Sequence, residues 1–164
     1  MKAQVLKADY SNPEHKQSIK WLLNHYACDI MGGGKALSES VLNATIEGLS
    51  KKSYAFSFIC YEDDKPVGLA NCFESFSTFS AKPLINIHDL MVHEAYRGKG
   101  YSQLLLQAIE DYAIVHDYCK ITLEVLEGNF VAKSSYSKFG FKAYELDPRM
   151  GKAEFMEKKL EEAK

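Results

Sequence analysis

No two cysteines in this sequence stand at C-x-x-C spacing. The four that occur, Cys28, Cys60, Cys72 and Cys119, are far apart. That pattern argues against a zinc ribbon and a thioredoxin-like redox pair, and no metal site is expected. Buried free thiols in a reducing compartment are the expected state. No apolar run approaches the roughly 20 residues of a membrane-spanning helix. The opening "MKAQVLKADYSN" has neither an apolar h-region nor a cleavage site, so a cytoplasmic, soluble chain with no membrane partner is expected. A surplus of one charge is missing too. Twenty Lys and Arg stand against 22 Asp and Glu, for a net charge of -2 and a pI near 6.2. Such a chain has no global basic field to hold a nucleic-acid backbone. Any cationic site must be local. Repeats, low-complexity tracts and Pro/Gly/Ser linkers are also absent, so residues 1–164 are read as one domain.

What is present is a globular composition, with 46% apolar and 12% aromatic residues, enough to bury a core. "AQVLKA" alternates as a first strand. "SNPEHKQSIKWLLNHYACDI" reads as a helix with Asn12 as N-cap, Pro13 at the first helical position and Glu14 at the positive end of the dipole. Its apolar stripe is Ile19, Leu22, Leu23, Tyr26 and Ala27, and the run Gly32–Gly34 ends it. A second helix is expected over "SESVLNATIEGL". Strands follow at "SYAFSFICYE", "VGLANCFESF" and "LINIHDLMV", the first two joined as a hairpin at "DDKP". A helix begins at Tyr101, a strand covers "CKITLEVLE", and a short helix, "NFVAKSSYSKF", stops at Gly140. "KAYEL" and "AEFMEKKL" are expected as closing strands. The order is that of an α+β chain with a mixed, mostly antiparallel central sheet flanked by helices.

The stretch "YRGKGYS" sits where the "LINIHDLMV" strand meets the following helix. The first N–H groups of a helix have no intrahelical partner, and the dipole favours negative charge there. Glycine lets the backbone approach a bulky phosphate closely. Arg97 and Lys99 add charge. Two common phosphate motifs fail. The third glycine of G-x-G-x-x-G would fall on Gln103, and "GGGKA" has Ala36 where a Walker A loop needs Ser or Thr. "HEAYR" at His93 lacks the second histidine of a zincin helix.

The run Arg97-Gly98-Lys99-Gly100-Tyr101-Ser102 resembles the acyl-coenzyme A signature R/Q-x-x-G-x-G/A of the GNAT superfamily of N-acetyltransferases, with serine at the last small position. "GNFVAKSSYSKFGF" resembles the second motif of that family through Asn129, Ala132, Tyr136, Gly140 and Phe141. The resemblance implies a GNAT-like fold splayed at its centre. It also implies transfer of an acetyl group from acetyl-CoA to a primary amine, in a small molecule or a peptide, by direct attack in a ternary complex. The alternative is a non-catalytic acyl-CoA-binding module. Family members often pair, so a homodimer is one assembly the resemblance allows.

Such transfer requires that the amine lose its proton, that the oxyanion be stabilised and that the leaving thiolate be protonated or solvated. By the resemblance, the backbone of Leu90, Met91 and Val92 pairs with the pantetheine arm, and Val92 with Arg97, Gly98, Lys99, Gly100, Tyr101 and Ser102 wraps the pyrophosphate. Asn129 holds the cofactor near its pantetheine, and Tyr136 is the general acid at the sulfur. The base is open between His88 and Asp89. Strand alternation predicts that only one of the pair points at the cleft. Glu74, on the preceding strand, is a third candidate acting through water. His25, Tyr26, Asp29 and the glycine run border the acceptor side, where Asp29 and Glu74 could draw a cationic amine.

Overall fold

The structure is a computed structural model and describes residues 2–160. Strands β1 (Ala3–Lys7), β2 (Ala55–Glu62), β3 (Lys65–Ser77), β4 (Lys82–Val92) and β5 (Ile121–Leu123) form one sheet in the order β1-β2-β3-β4-β5. The first three pairings are antiparallel and β4–β5 is parallel. The fold is the expected mixed, mostly antiparallel α+β arrangement. Helices α1 (Pro13–Cys28) and α2 (Glu39–Ser50) cover one face, and α3 (Tyr101–Val115) covers the other. Helix α4 (Phe130–Phe139) packs beside α3.

Local chemistry sets these boundaries. Asn12 Oδ1 accepts from the amide of Glu14 at 2.8 Å, and Pro13 opens α1. The helix stops at Cys28, before the glycine run, because Asp29 is extended and its carboxylate caps a short turn over Ile30–Gly32. The two faces carry separate cores. Ile19, Leu22, Ile46, Ile59, Leu69 and Met91 fill the α1–α2 side, whereas Phe56, Phe58, Cys60, Leu105, Leu106 and Ile109 fill the α3 side. Full burial of each large aliphatic among them contributes about 1.5–3 kcal/mol.

Two features depart from the pattern in the sequence. Strand β5 spans only Ile121–Leu123, and its pairing with β4 ends at Ile87↔Leu123. Residues 142–146 and 153–160 form no strand. A turn at Asp147–Gly151 brings them near each other, with one backbone bond from the Ala153 amide to the Tyr144 carbonyl at 2.9 Å. Leu146, Phe155, Met156 and Leu160 lie largely exposed, so these segments bury no face that could hold a ladder together.

Gly32 is required by space. A Cβ there would lie 2.0 Å from the Tyr26 carbonyl oxygen and 2.7 Å from its carbon. Gly32→Ala should therefore cost about 1–3 kcal/mol. An unchanged urea midpoint in the variant would show that this turn yields freely.

Candidate active site

The site is built where β4 parts from β5. In the β3–β4 ladder Asn71 faces Asp89 while the next pair is Cys72↔Ile87, so His88 is an extra residue, a β-bulge. The bulge breaks the alternation. Ile85, Ile87, Leu90 and Val92 pack toward α3, and Met91 packs toward α1. Asp89 bonds to Asn71, and the His88 ring lies 5.5 Å from that of Phe73. Asn71 and Phe73 belong to the α1 face of β3, along with Leu69. Both His88 and Asp89 therefore turn to the α1 face, and the expectation that only one would do so is corrected. Past Ile87 the β5 side of β4 has no strand against it among the described residues. Leu90, Met91 and Val92 thus pair only with Ala70, Leu69 and Gly68 of β3.

At the end of this edge, Gly98 and Gly100 adopt φ of 80° and 87°, left-handed values that favour glycine. Gly100 is the N-cap of α3 without a side-chain cap. Among the described residues, no acceptor takes a hydrogen bond from the amides of residues 98–102. A Cβ at either glycine would meet nothing within 4 Å. The loop is an open row of donors and fits a phosphate group.

Its cations are already engaged. Arg97 Nη2 donates to Asp29 Oδ2 at 2.6 Å, and its Nε donates to the Val92 carbonyl at 3.0 Å. That guanidinium, followed by the Met31 amide, holds the Asp29 carboxyl below the usual range. Lys99 Nζ lies 3.1 Å from Glu62, a buried carboxylate that also accepts from the Tyr101 hydroxyl. The Tyr101 hydroxyl, followed by Lys99, lowers the Glu62 carboxyl, and Tyr101 is pushed up to about 12 chiefly by the same bond. The Ser102 hydroxyl sits 3.1 Å from that of Ser135, and Gln103 Nε2 donates to the Ser135 carbonyl at 3.0 Å. These bonds tie the start of α3 to α4.

Helix α4 is capped by Asn129, whose Oδ1 accepts from the Ala132 amide at 3.1 Å. Tyr136 is partly buried against the α3-side core that also receives Leu90 and Val92. Burial, and then the nearby Tyr26 phenol, push its hydroxyl up to about 12. Tyr26 is raised by burial first and then by the charges of Asp89 and Asp29. Tyr26 packs against the α1-side core. A stack of Trp21, His93 and His25 presses α1 onto the end of β4, with the His25–His93 centroids 3.9 Å apart.

Glu74 is not part of this group. It pairs with Ile85 on the α3 face and accepts from the Tyr118 hydroxyl. Asp29 is committed to Arg97. Among the described residues, no three His, Cys, Asp or Glu side chains are placed to hold a metal, and no helix is long and apolar enough to cross a membrane.

The family model described as "Acetyltransferase (GNAT) family" matches residues 22–141, from within α1 to the end of the α4 cap. The chain belongs to the GNAT acetyltransferase family. Solved structures agree in fold. A probable acetyltransferase is 19% identical over 96% of this chain and 99% of its own, with a TM-score of 0.80. An aminoglycoside acetyltransferase from an uncultured soil metagenomic sample, crystallised with trehalose, is 14% identical over 96% and 97%, with a TM-score of 0.77. A ribosomal-protein-alanine N-acetyltransferase from Brucella melitensis biovar Abortus 2308 is 16% identical over 89% and 96%, with a TM-score of 0.73.

Glu62 gives this GNAT chain an acid-sensitive contact. Its carboxyl is depressed on folding, so its stabilisation is complete above the unfolded value near 4.5 and is lost as pH falls through the lower folded value. Stability of the wild type should drop more steeply below about pH 5 than that of Glu62→Gln. Parallel slopes in urea unfolding from pH 6 to 3 would remove Glu62 from acid denaturation.

Proposed function

We propose that the chain acts as one unit, an N-acetyltransferase that moves the acetyl group of acetyl-CoA to a primary amine by direct attack in a ternary complex. The observation that carries this reading is the row of unpartnered amides at 98–102, set at the end of a β4 edge that β5 has left. When bound, acetyl-CoA supplies the activated acyl carbonyl and the thiolate leaving group. Gly98, Lys99, Gly100, Tyr101 and Ser102 offer their amides to the pyrophosphate, and Arg97, paired with Asp29, flanks them. The free edge at Leu90, Met91 and Val92 receives the pantetheine as a strand would. Asn129 keeps its Nδ2 for the same arm, since its Oδ1 is spent on the Ala132 amide.

Tyr136 holds its proton throughout the neutral range, because its hydroxyl is raised to about 12. It can therefore donate Oη–H to the leaving sulfur. The proton of the amine is taken on the α1 face, where the bulge sets His88 and Asp89 together. The acceptor is a small-molecule or peptide amine. Two structural neighbours carry names of these two kinds, an aminoglycoside in one and a ribosomal-protein alanine in the other. Four free cysteines fit work in a reducing cytoplasm.

Calorimetric titration with acetyl-CoA, followed by thiol release across polyamines, aminoglycosides and peptides, tests the reading. Saturable binding and release with one amine class are expected. Binding without release would leave a non-catalytic acyl-CoA module, and no binding would sink both. Tyr136→Phe should lower kcat about 100-fold and leave the acetyl-CoA Kd nearly unchanged. Wild-type turnover in that variant would remove the general-acid role.

A further inference from the structure

A line of buried and half-buried polar groups crosses the α1 face of the sheet. Asn71 Nδ2 lies 2.9 Å from Asp89 Oδ2, Ser57 Oγ lies 2.7 Å from Asn71 Oδ1, and the Tyr10 hydroxyl lies 2.7 Å from Ser57 Oγ. Ser57 is 0% and Asn71 3% exposed. The four residues come from the β1–α1 loop, β2, β3 and β4, so no local motif produces the line.

The direction of every bond follows from its end. An ionised carboxylate only accepts, so the Asn71 NH2 must face Asp89 and its carbonyl must face Ser57. Ser57 then spends its one proton on Asn71, and Tyr10 must donate to Ser57. The chain runs Tyr10→Ser57→Asn71→Asp89, with every donor pointed toward the same carboxylate. Bonds aligned in this way polarise one another. The amide interrupts any proton relay, because it has no labile proton to pass on, so the line cannot carry the proton away. It can hold a carboxylate in one rotamer.

Only one oxygen of Asp89 is held. Among the described residues Oδ1 takes no hydrogen bond, and it is not a buried orphan. The charge of this carboxylate acts on Tyr26 of α1 and, through the sheet, on the buried Cys72 thiol of β3, Tyr26 acts in turn on Tyr136 of α4, and His88 is its neighbour in the chain. His88 is exposed and has an aromatic contact with Phe73 but no hydrogen-bonding partner among the described residues.

We infer that Asn71 is a positioning residue that fixes Asp89, and not His88, as the base that receives the proton of the amine. The inference rests on the acetyltransferase reading above. In the step it implies, the N–H bond of the ammonium breaks, its electron pair stays on nitrogen for attack, and the proton passes to Asp89 Oδ1. A carboxylate deprived of a donor keeps its proton to higher pH.

The test is the pH dependence of kcat for thiol release, with acetyl-CoA and the best amine from the screen, in full-length wild type, Asn71→Leu, Tyr10→Phe and His88→Gln. Asn71→Leu should lower kcat at least about tenfold and move its acid limb up by about one pH unit, with the acetyl-CoA Kd from calorimetry unchanged. Tyr10→Phe removes only the outermost donor, should shift the limb less in the same direction, and serves if Asn71→Leu fails to fold. His88→Gln should leave the limb in place. An acid limb that follows His88→Gln, or stays fixed in both Asn71→Leu and Tyr10→Phe, overturns the inference. Should wild type bind acetyl-CoA and release no thiol with any amine, the acetyltransferase reading fails first, and the failure shows in the unmodified protein.

Discussion

One surplus residue in β4 governs the geometry of the site. His88 has no partner across β3, and the strand absorbs it by turning. Parallel pairing with β5 ends one residue earlier, at Ile87. The same irregularity sends two adjacent polar side chains to one face and frees the backbone edge that follows. A regular β4 would have kept its alternation, sent His88 and Asp89 to opposite faces and run on beside β5. The bulge costs ladder bonds, and the polar line through Asn71 and Ser57 lies beside it, satisfying groups that would otherwise be buried without partners.

The loop at residues 97–102 shows which force would be available to an anion. Its two cations look decisive in the sequence, yet Arg97 faces Asp29 and Lys99 faces Glu62. Their charges are largely offset within the protein, and ion pairs with exposed cationic partners of this kind add little stability by themselves. What remains unspent is the set of backbone amides around two glycines with left-handed φ. Attraction at this loop is therefore mainly that of oriented dipoles at close range, and the side chains serve to set the loop on α1 and on the β2–β3 turn.

Much of this was legible in the sequence because it is local. The cap at Asn12, the strand–glycine–helix seam at Arg97–Ser102 and the Asn129–Tyr136 helix depend on neighbours in the chain, and each stands where its pattern placed it. The rest depends on partners distant in sequence. The bulge leaves no mark in "LINIHDLMV", since both a regular and a bulged strand suit those residues. Glu74 looked like a cleft residue until pairing with Ile85 assigned it to the other face. "KAYEL" and "AEFMEKKL" are expected as closing strands, but a strand needs a face to bury, and their large apolar side chains remain exposed. Asn71 offered one faint signal, a lone amide in the apolar run "VGLANCF".

The same sheet sorts the thiols by accessibility. Cys28 is exposed at the end of α1 and Cys119 is partly so, whereas Cys60 and Cys72 are buried on the α3 face. Burial raises the Cys60 thiol to about 11, and burial with the charge of Asp89 raises Cys72 further. Alkylating reagents must reach the sulfur, so the native protein presents two accessible positions and conceals two. The rate at which the concealed pair becomes labelled is then a direct clock for opening of the β2–β3 core, with Cys28 as the internal standard in the same chain.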